Sequence, residues 1–221
     1  KEKPQAKKRG RPKKGETREP IKPTILKQQK ELLSVEEKLA LVSTECGVGI
    51  KQNSKGNREV WIGGKLHISA VDGDIPVTAF YSGANIHDSS IALPLIQETS
   101  KRVNYLYDLQ DAGYDADIIR EFSNKLGHRP IIDTNPKNSK ELKAKIELME
   151  HEGKTFKDIN QHLNCDEEHY NQRSMVERVN KYLKDDFGCD KIYYQGATKV
   201  ASVLAFGILS ICIHQSLQLV T

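Results

Sequence analysis

"VWIGGKLHISAVDGDIPVTAFYS", residues 60 to 82, holds two β-rich runs separated by Asp72, Gly73 and Asp74. Turn residues between two such runs are a strong hairpin signal. The segments downstream of this hairpin set the fold class. "DSSIALPLIQETS" (88–100) predicts a helix with Asp88 or Ser89 as its N-cap, and "VNYLYDL" (103–109) a buried strand that ends just before "QDAGYDA". "ADIIREFSNKLG" (116–127) reads as a helix closed by Gly127, and "RPIID" (129–133) as the next short strand. Hairpin, helix, strand, helix, strand, helix is the order of an α/β layer with an antiparallel edge.

Upstream of the hairpin, "KQNSKGNRE" (51–59), after Gly47, reads as a loop, and residues 25–45 as a helical linker in which Ser34 and Glu37 are spaced as a capping box. Residues 1–24, "KEKPQAKKRGRPKKGETREPIKPT", contain four of the eight prolines and almost no apolar side chains. Such a segment cannot offset the entropy of ordering, so a disordered arm is expected. The net charge of +4 conceals an asymmetry: residues 1–30 carry twelve Lys or Arg against three Glu, whereas the remainder carries 22 basic against 27 acidic residues. Within the arm, Arg9, Gly10, Arg11 and Pro12 form a slim cationic segment. It suits a narrow A/T-rich minor groove, or serves as a generic basic linker drawn to any polyanion.

The 221 residues suffice for one good core. Cys46, Cys165, Cys189 and Cys212 stand far apart with no CxxC pair, so neither a disulfide framework nor a zinc site is indicated and a cytoplasmic setting fits. The chain opens on Lys1 without a signal peptide and is expected to be a fragment. Residues 136–169 are polar and read as an insertion or flap. "TKVASVLAFGILSICIHQSLQLV" (198–220) is long enough for a membrane span, but His214, Gln215 and Gln218 interrupt its last third, so a buried C-terminal helix and no membrane are expected.

Two elements carry candidate chemistry. Asp111 stands immediately beyond a buried strand, where open α/β sheets place ligands, and is either a turn or cap aspartate or a metal ligand. Asp115 and Asp117 are the better caps for the helix that follows. In "YNQRSMVERVNKYLK" (170–184), Tyr170, Arg173, Glu177 and Lys184 fall within about 60° of one another on a helix. Met175, Val176, Val179, Leu183 and Phe187 lie opposite. The stripe is a solvated face with an Arg173–Glu177 pair, or a functional one. Asp111 and Glu177 from separate elements would suit two hard divalent cations, with Arg173 and Lys184 on phosphates and Tyr170 bonding a phosphate or stacking on a base.

This stretch resembles the Y-x2-R-x3-E-x6-K signature of the DDE transposases of bacterial insertion sequences. Residues 61–96, "YDLQDAGYDA" (107–116), "IIDTNPK" and "GATKVASVLAFGIL" are similar to the same group, over residues 46–215 in all. The resemblance implies a ribonuclease-H-like mixed sheet with helices on both faces. It implies Mg²⁺, with Mn²⁺ as a substitute, and cleavage and transfer of DNA strands at element ends and target, in a homodimer on DNA in the nucleoid. Asp111 and Glu177 would be the second and third acidic ligands, Arg173, Lys184 and Tyr170 DNA contacts, and Asn85, His87 and Asp88 structural or substrate-near residues. The family's first acidic residue is an Asp ending a first strand upstream of the hairpin. No such run precedes Trp61, and Asp72 and Asp74 are poor substitutes. A partial catalytic domain over 46–221, lacking its first strand and inactive alone, is therefore expected, with a non-catalytic DNA-binding remnant using the basic arm as the alternative.

Overall fold

The structure is a computed structural model and describes residues 23–52, 56–133, 135, 140–153 and 171–220. The hairpin forms as expected: β2 (Arg58–Val71) pairs antiparallel with β3 (Ile75–Gly83), from Gly64↔Gly83 to Val71↔Ile75, with a register shift between Ser69 and Ala70. Gly73 and Asp74 both turn with positive φ, +83° and +57°. Asp74 tolerates this because both its carboxylate oxygens are held by Arg178, at 2.6–3.0 Å.

No strand is expected before the hairpin, but one is present and takes in the first two residues of the expected loop, Lys51 and Gln52. β1 (Gly47–Gln52) pairs antiparallel with β2 from Gly47↔Gly63 to Gln52↔Arg58. A side chain at Gly49 would lie 2.3 Å from the Trp61 ring directly opposite, so the glycine makes room for the indole.

α3 (Ser89–Arg102) leads to β4 (Tyr107–Gln110), a 3-10 turn at Ala112–Tyr114, α4 (Asp117–Lys125) and β5 (Arg129–Ile132), which pairs parallel with β4. Gly127, at φ +85°, ends α4. Ala92, Leu93 and Ile96 of α3 pack with Ile119 of α4 and Ile132 of β5 in one core. Helices cover both faces of the hairpin. Phe80 of β3 meets Ile91 of α3 on one side, while Leu66, Ile68 and Ala79 meet α6 (Ser174–Asp185) and α7 (Ala197–Val220) on the other. α5 (Lys140–His151) precedes α6. The fold is mixed α/β, but not one sheet. β1-β2-β3 and β4-β5 are separate ladders.

Residues 25–45 do more than link. α1 (Ile25–Lys30) and α2 (Val35–Ala40) pack on α3, and the Ser34–Glu37 capping box is complete. Lys38 is 1 % exposed, with its Nζ bonded to the Leu32 and Leu33 carbonyls and Gln97 Oε1, and with Phe122 beneath it. Burial holds its pKa below the usual lysine value. Lys38→Ala strands the Leu32 carbonyl and Gln97 Oε1, while the Leu33 carbonyl keeps Gln97 Nε2, and should lower unfolding stability by about 2 kcal/mol, measured by urea denaturation.

α7 departs from expectation. Leu204, Gly207, Ile211 and Gln215 are buried, but the rest of a helix long and apolar enough to cross a membrane is mostly exposed.

Candidate functional site

Asp111 follows β4 as expected, but its surroundings correct the assignment of caps. The N-cap of α4 is Ala116, without a side-chain bond. Asp115 instead bonds Arg120 Nη2 and the Asn135 amide, each at 2.8 Å. Asp111 does have a structural duty: its Oδ1 accepts the Gly113 amide at 2.9 Å and caps the 3-10 turn. Two residues on, that glycine has no room for a side chain, because a Cβ would lie 2.9 Å from the same oxygen.

The signature helix begins later than its pattern suggests. α6 starts at Ser174, with Arg173 at the N-cap, so only Glu177 and Lys184 of the stripe sit within it. Arg173 Nη1 meets Glu177 Oε1 at 3.1 Å; the Glu177 side chain is 64 % exposed. Val179 and Leu183 on the opposite side are buried against Ile68 and Ile211. Tyr170, and Arg9, Gly10, Arg11 and Pro12 of the arm, lie outside the described residues.

Asp111, Arg173 and Glu177 are brought to one cavity of about 820 Å³. Ile68–Val71 of β2, Asp72 just beyond it, and β4 line it together with residues of α3 and α6. It continues along β2 into a second cavity of about 1280 Å³, lined by Lys65, Lys184 and Trp61. Lys184 is therefore on the same helix as Glu177 but opens on the neighbouring space. Asn180 and Tyr114 line both.

Tyr114 and Gln110 are site residues that the sequence pattern did not single out. The Tyr114 phenol is pushed well above its usual pKa by burial and by the carboxylates of Asp88 and Asp111, so it remains a donor. Its offset of three from Asp111, across a glycine turn, was the available signal. Gln110 lines the first cavity with its Oε1 buried and without a hydrogen-bond partner.

Asn85, His87 and Asp88 have local roles. The Asn85 side chain fills the space beside Gly47 and Gly83, His87 Nδ1 lies 2.7 Å from Ser89 Oγ, and Asp88 accepts from Lys65 Nζ at 3.0 Å. Beneath them His67 is buried, with Nε2 2.8 Å from Ser82 Oγ and Nδ1 3.9 Å from Asp88. Burial, only partly countered by Asp88, holds His67 neutral with its pKa at about 4.

A family model for the transposase DDE domain matches residues 27–213, which covers both cavities and begins within α1. The chain belongs to the DDE transposase family. No curated protein and no solved structure matches it. The family's divalent-metal chemistry and DNA substrate give the cavity its context. Within this DDE domain, Asp111 and Glu177 are donors of the right kind for hard cations, which take carboxylate oxygens and leave positions for phosphate and water. Among the described residues no three His, Cys, Asp or Glu converge, although Asp72 lines the same cavity.

Proposed function

We propose that this chain is most of the catalytic domain of an insertion-sequence transposase, which hydrolyses DNA strands at element ends and transfers them to target DNA. The observation that carries this reading is the meeting of Asp111 and Glu177, from β4's end and from α6, at one cavity. A divalent ion held by these carboxylates would activate water or a 3′-hydroxyl and stabilise the leaving oxygen. Asp111 is kept at the strand end by the Gly113 amide, so its carboxylate is oriented before DNA arrives. Arg173 and Lys184 offer phosphate oxygens a planar fork and a point charge on either side of Asn180, and the Tyr114 phenol stays protonated as a donor. Tyr170 would serve as a further DNA contact, and Arg9–Pro12 as a minor-groove contact. The work would be done on chromosomal DNA in a bacterial cytoplasm.

The gap between the two ladders supports a further part of the reading: the site needs one more strand. Arg129 and Asp133 donate to the carbonyls of Leu106 and Gln110, so by strand alternation Leu109 turns its backbone groups to the opposite edge of β4. No described strand pairs with that edge. The cavity lies between it and β2, sandwiched by α3 and α6, with the buried Gln110 Oε1 facing no donor. An apolar strand ending in Asp would join the ladders, cover this space and supply the third carboxylate. Without it the domain should be inactive. In a plasmid-nicking assay with Mg²⁺, this chain should show background cleavage only, and a chain extended by such a strand should cut. Strong Asp111-dependent cleavage by the 221 residues alone would overturn the incompleteness, whereas failure of the extended chain would overturn the enzymatic reading.

A further inference from the structure

The first turn of α6 carries Glu177 to the Asp111 cavity, yet its N-cap residue, Arg173, makes no side-chain cap bond. Arg178 ties that turn down. Its Nη1 donates to Ser174 Oγ at 3.1 Å, one turn back, while its Nε and Nη2 hold both carboxylate oxygens of Asp74 at 2.6–3.0 Å. Asp74 belongs to the hairpin turn, two residues beyond Asp72, which lines the cavity. Its side chain is 13 % exposed, so this is not a loose surface pair, and a planar fork on a carboxylate fixes direction as well as distance. Neither Asp74 nor Arg178 lines the cavity itself.

We infer that Asp74 and Arg178 are positioning residues for the metal site, a latch that holds Glu177 opposite Asp111 so that one divalent cation can engage both carboxylates. This rests on the reading of Asp111 and Glu177 as metal ligands. Helix geometry gives the latch its leverage. Val179 and Leu183 bury the helix against Ile68 and Ile211, and apolar contact of that kind is non-directional, so it resists lifting α6 off the hairpin better than rolling it. At about 100° per residue, Arg178 and Asn180 stand on opposite flanks of Val179, and Glu177 lies about 60° beyond Asn180. A fork anchored on one flank therefore blocks the roll that would carry Asn180 and Glu177, on the other, away from Asp111. Charge alone predicts something different. Removing the Arg178 cation would strengthen binding of a nearby metal ion and removing the Asp74 anion would weaken it, whereas loss of the latch weakens binding in both cases.

Mn²⁺ binding to the full chain, followed by the electron paramagnetic resonance signal of the free ion, tests this without requiring catalysis. Asp111→Asn and Glu177→Gln define the binding that belongs to the site. Arg178→Gln and Asp74→Asn should each weaken that binding by about tenfold, the usual consequence of removing a group that orients a metal ligand. Asn tolerates the left-handed backbone at position 74, so the turn survives the substitution. Arg178→Lys, which keeps the charge and loses the fork, should fall between Arg178→Gln and the parent. In a Glu177→Gln background neither latch substitution should weaken binding further, because the ligand being positioned is gone. Tighter binding by Arg178→Gln, unchanged binding in both latch variants, or a loss that persists in the Glu177→Gln background would overturn the latch while leaving Asp111 and Glu177 as ligands. Parent binding that is absent, or that ignores both Asp111→Asn and Glu177→Gln, would overturn the metal reading and the latch together.

Discussion

Glu177→Gln, introduced into the strand-complemented chain, should reduce Mg²⁺-dependent strand cleavage by roughly 10³-fold while changing DNA affinity by no more than a few-fold. The substitution keeps the size of the side chain and removes its charge. Its structural cost is small: the Glu177 side chain is 64 % exposed, and i,i+4 pairs open to solvent contribute only about 0.3–0.5 kcal/mol. A large loss of cleavage in a folded protein therefore reports on the metal rather than on α6. Asp111→Asn is the matching experiment at the other wall of the cavity. Asn can still accept the Gly113 amide and keep the 3-10 turn, but it is a poorer ligand, so cleavage should fall comparably with the urea midpoint unchanged. Steady-state cleavage of an end-labelled duplex, beside a binding isotherm at fixed salt, separates the two effects. A reduction below tenfold at either position would remove that residue from the metal site.

How far these side chains could be placed in advance depended on the range of the interactions that place them. Local chemistry was readable. Asp72-Gly73-Asp74 set the hairpin, Ser34 and Glu37 closed their capping box three residues apart, and Gly127 ended α4 where a positive φ was needed. Asp111 was readable as a strand-end residue because a short apolar run stops just before it. Features that depend on distant partners were not. β1 is held by its pairing with β2, in which Gly49 stands opposite Trp61 twelve residues away, and its short glycine-containing run gives no strand signal alone. Lys38 reads as a solvated charge on a short amphipathic helix, yet carbonyls from the preceding turn and Gln97 from α3 make its burial tolerable. Periodicity placed Val179 and Leu183 on the buried face correctly, but ran the helix through residues 172–173, where a turn puts Arg173 at the N-cap instead. The outer edge of α7 shows the limit of composition. An apolar run reports that burial is favourable, not what provides it.

His67 leads to the second large effect, a loss of about 3 kcal/mol of unfolding stability between pH 7.5 and pH 4.5, most of it attributable to this residue. The folded chain holds its imidazole neutral with a pKa at about 4, against 6.5 for an exposed histidine. Between those values the unfolded chain binds a proton that the folded chain refuses, so stability is full above pH 6.5 and declines as the pH falls toward 4. The cause is structural. His67 is sealed between the hairpin and α3, its Nε2 is committed to Ser82 Oγ, and the one carboxylate near Nδ1, Asp88 at 3.9 Å, is already engaged by Lys65 at 3.0 Å. Carboxylates also titrate as the pH falls: Glu37 and Glu98 are held below their usual range by hydrogen bonds, and Asp108 is raised by burial. A difference measurement isolates the histidine. His67→Gln retains a group that can bond Ser82 but cannot be protonated. Urea denaturation of both proteins at pH 7.5 and 4.5 should show the variant modestly less stable at the higher pH and losing much less on acidification. Equal losses in the two proteins would assign the acid sensitivity to the carboxylates and leave His67 as a packing residue. A confirmed difference would mean that the hairpin beside the Asp111 cavity loses stability in mild acid through His67.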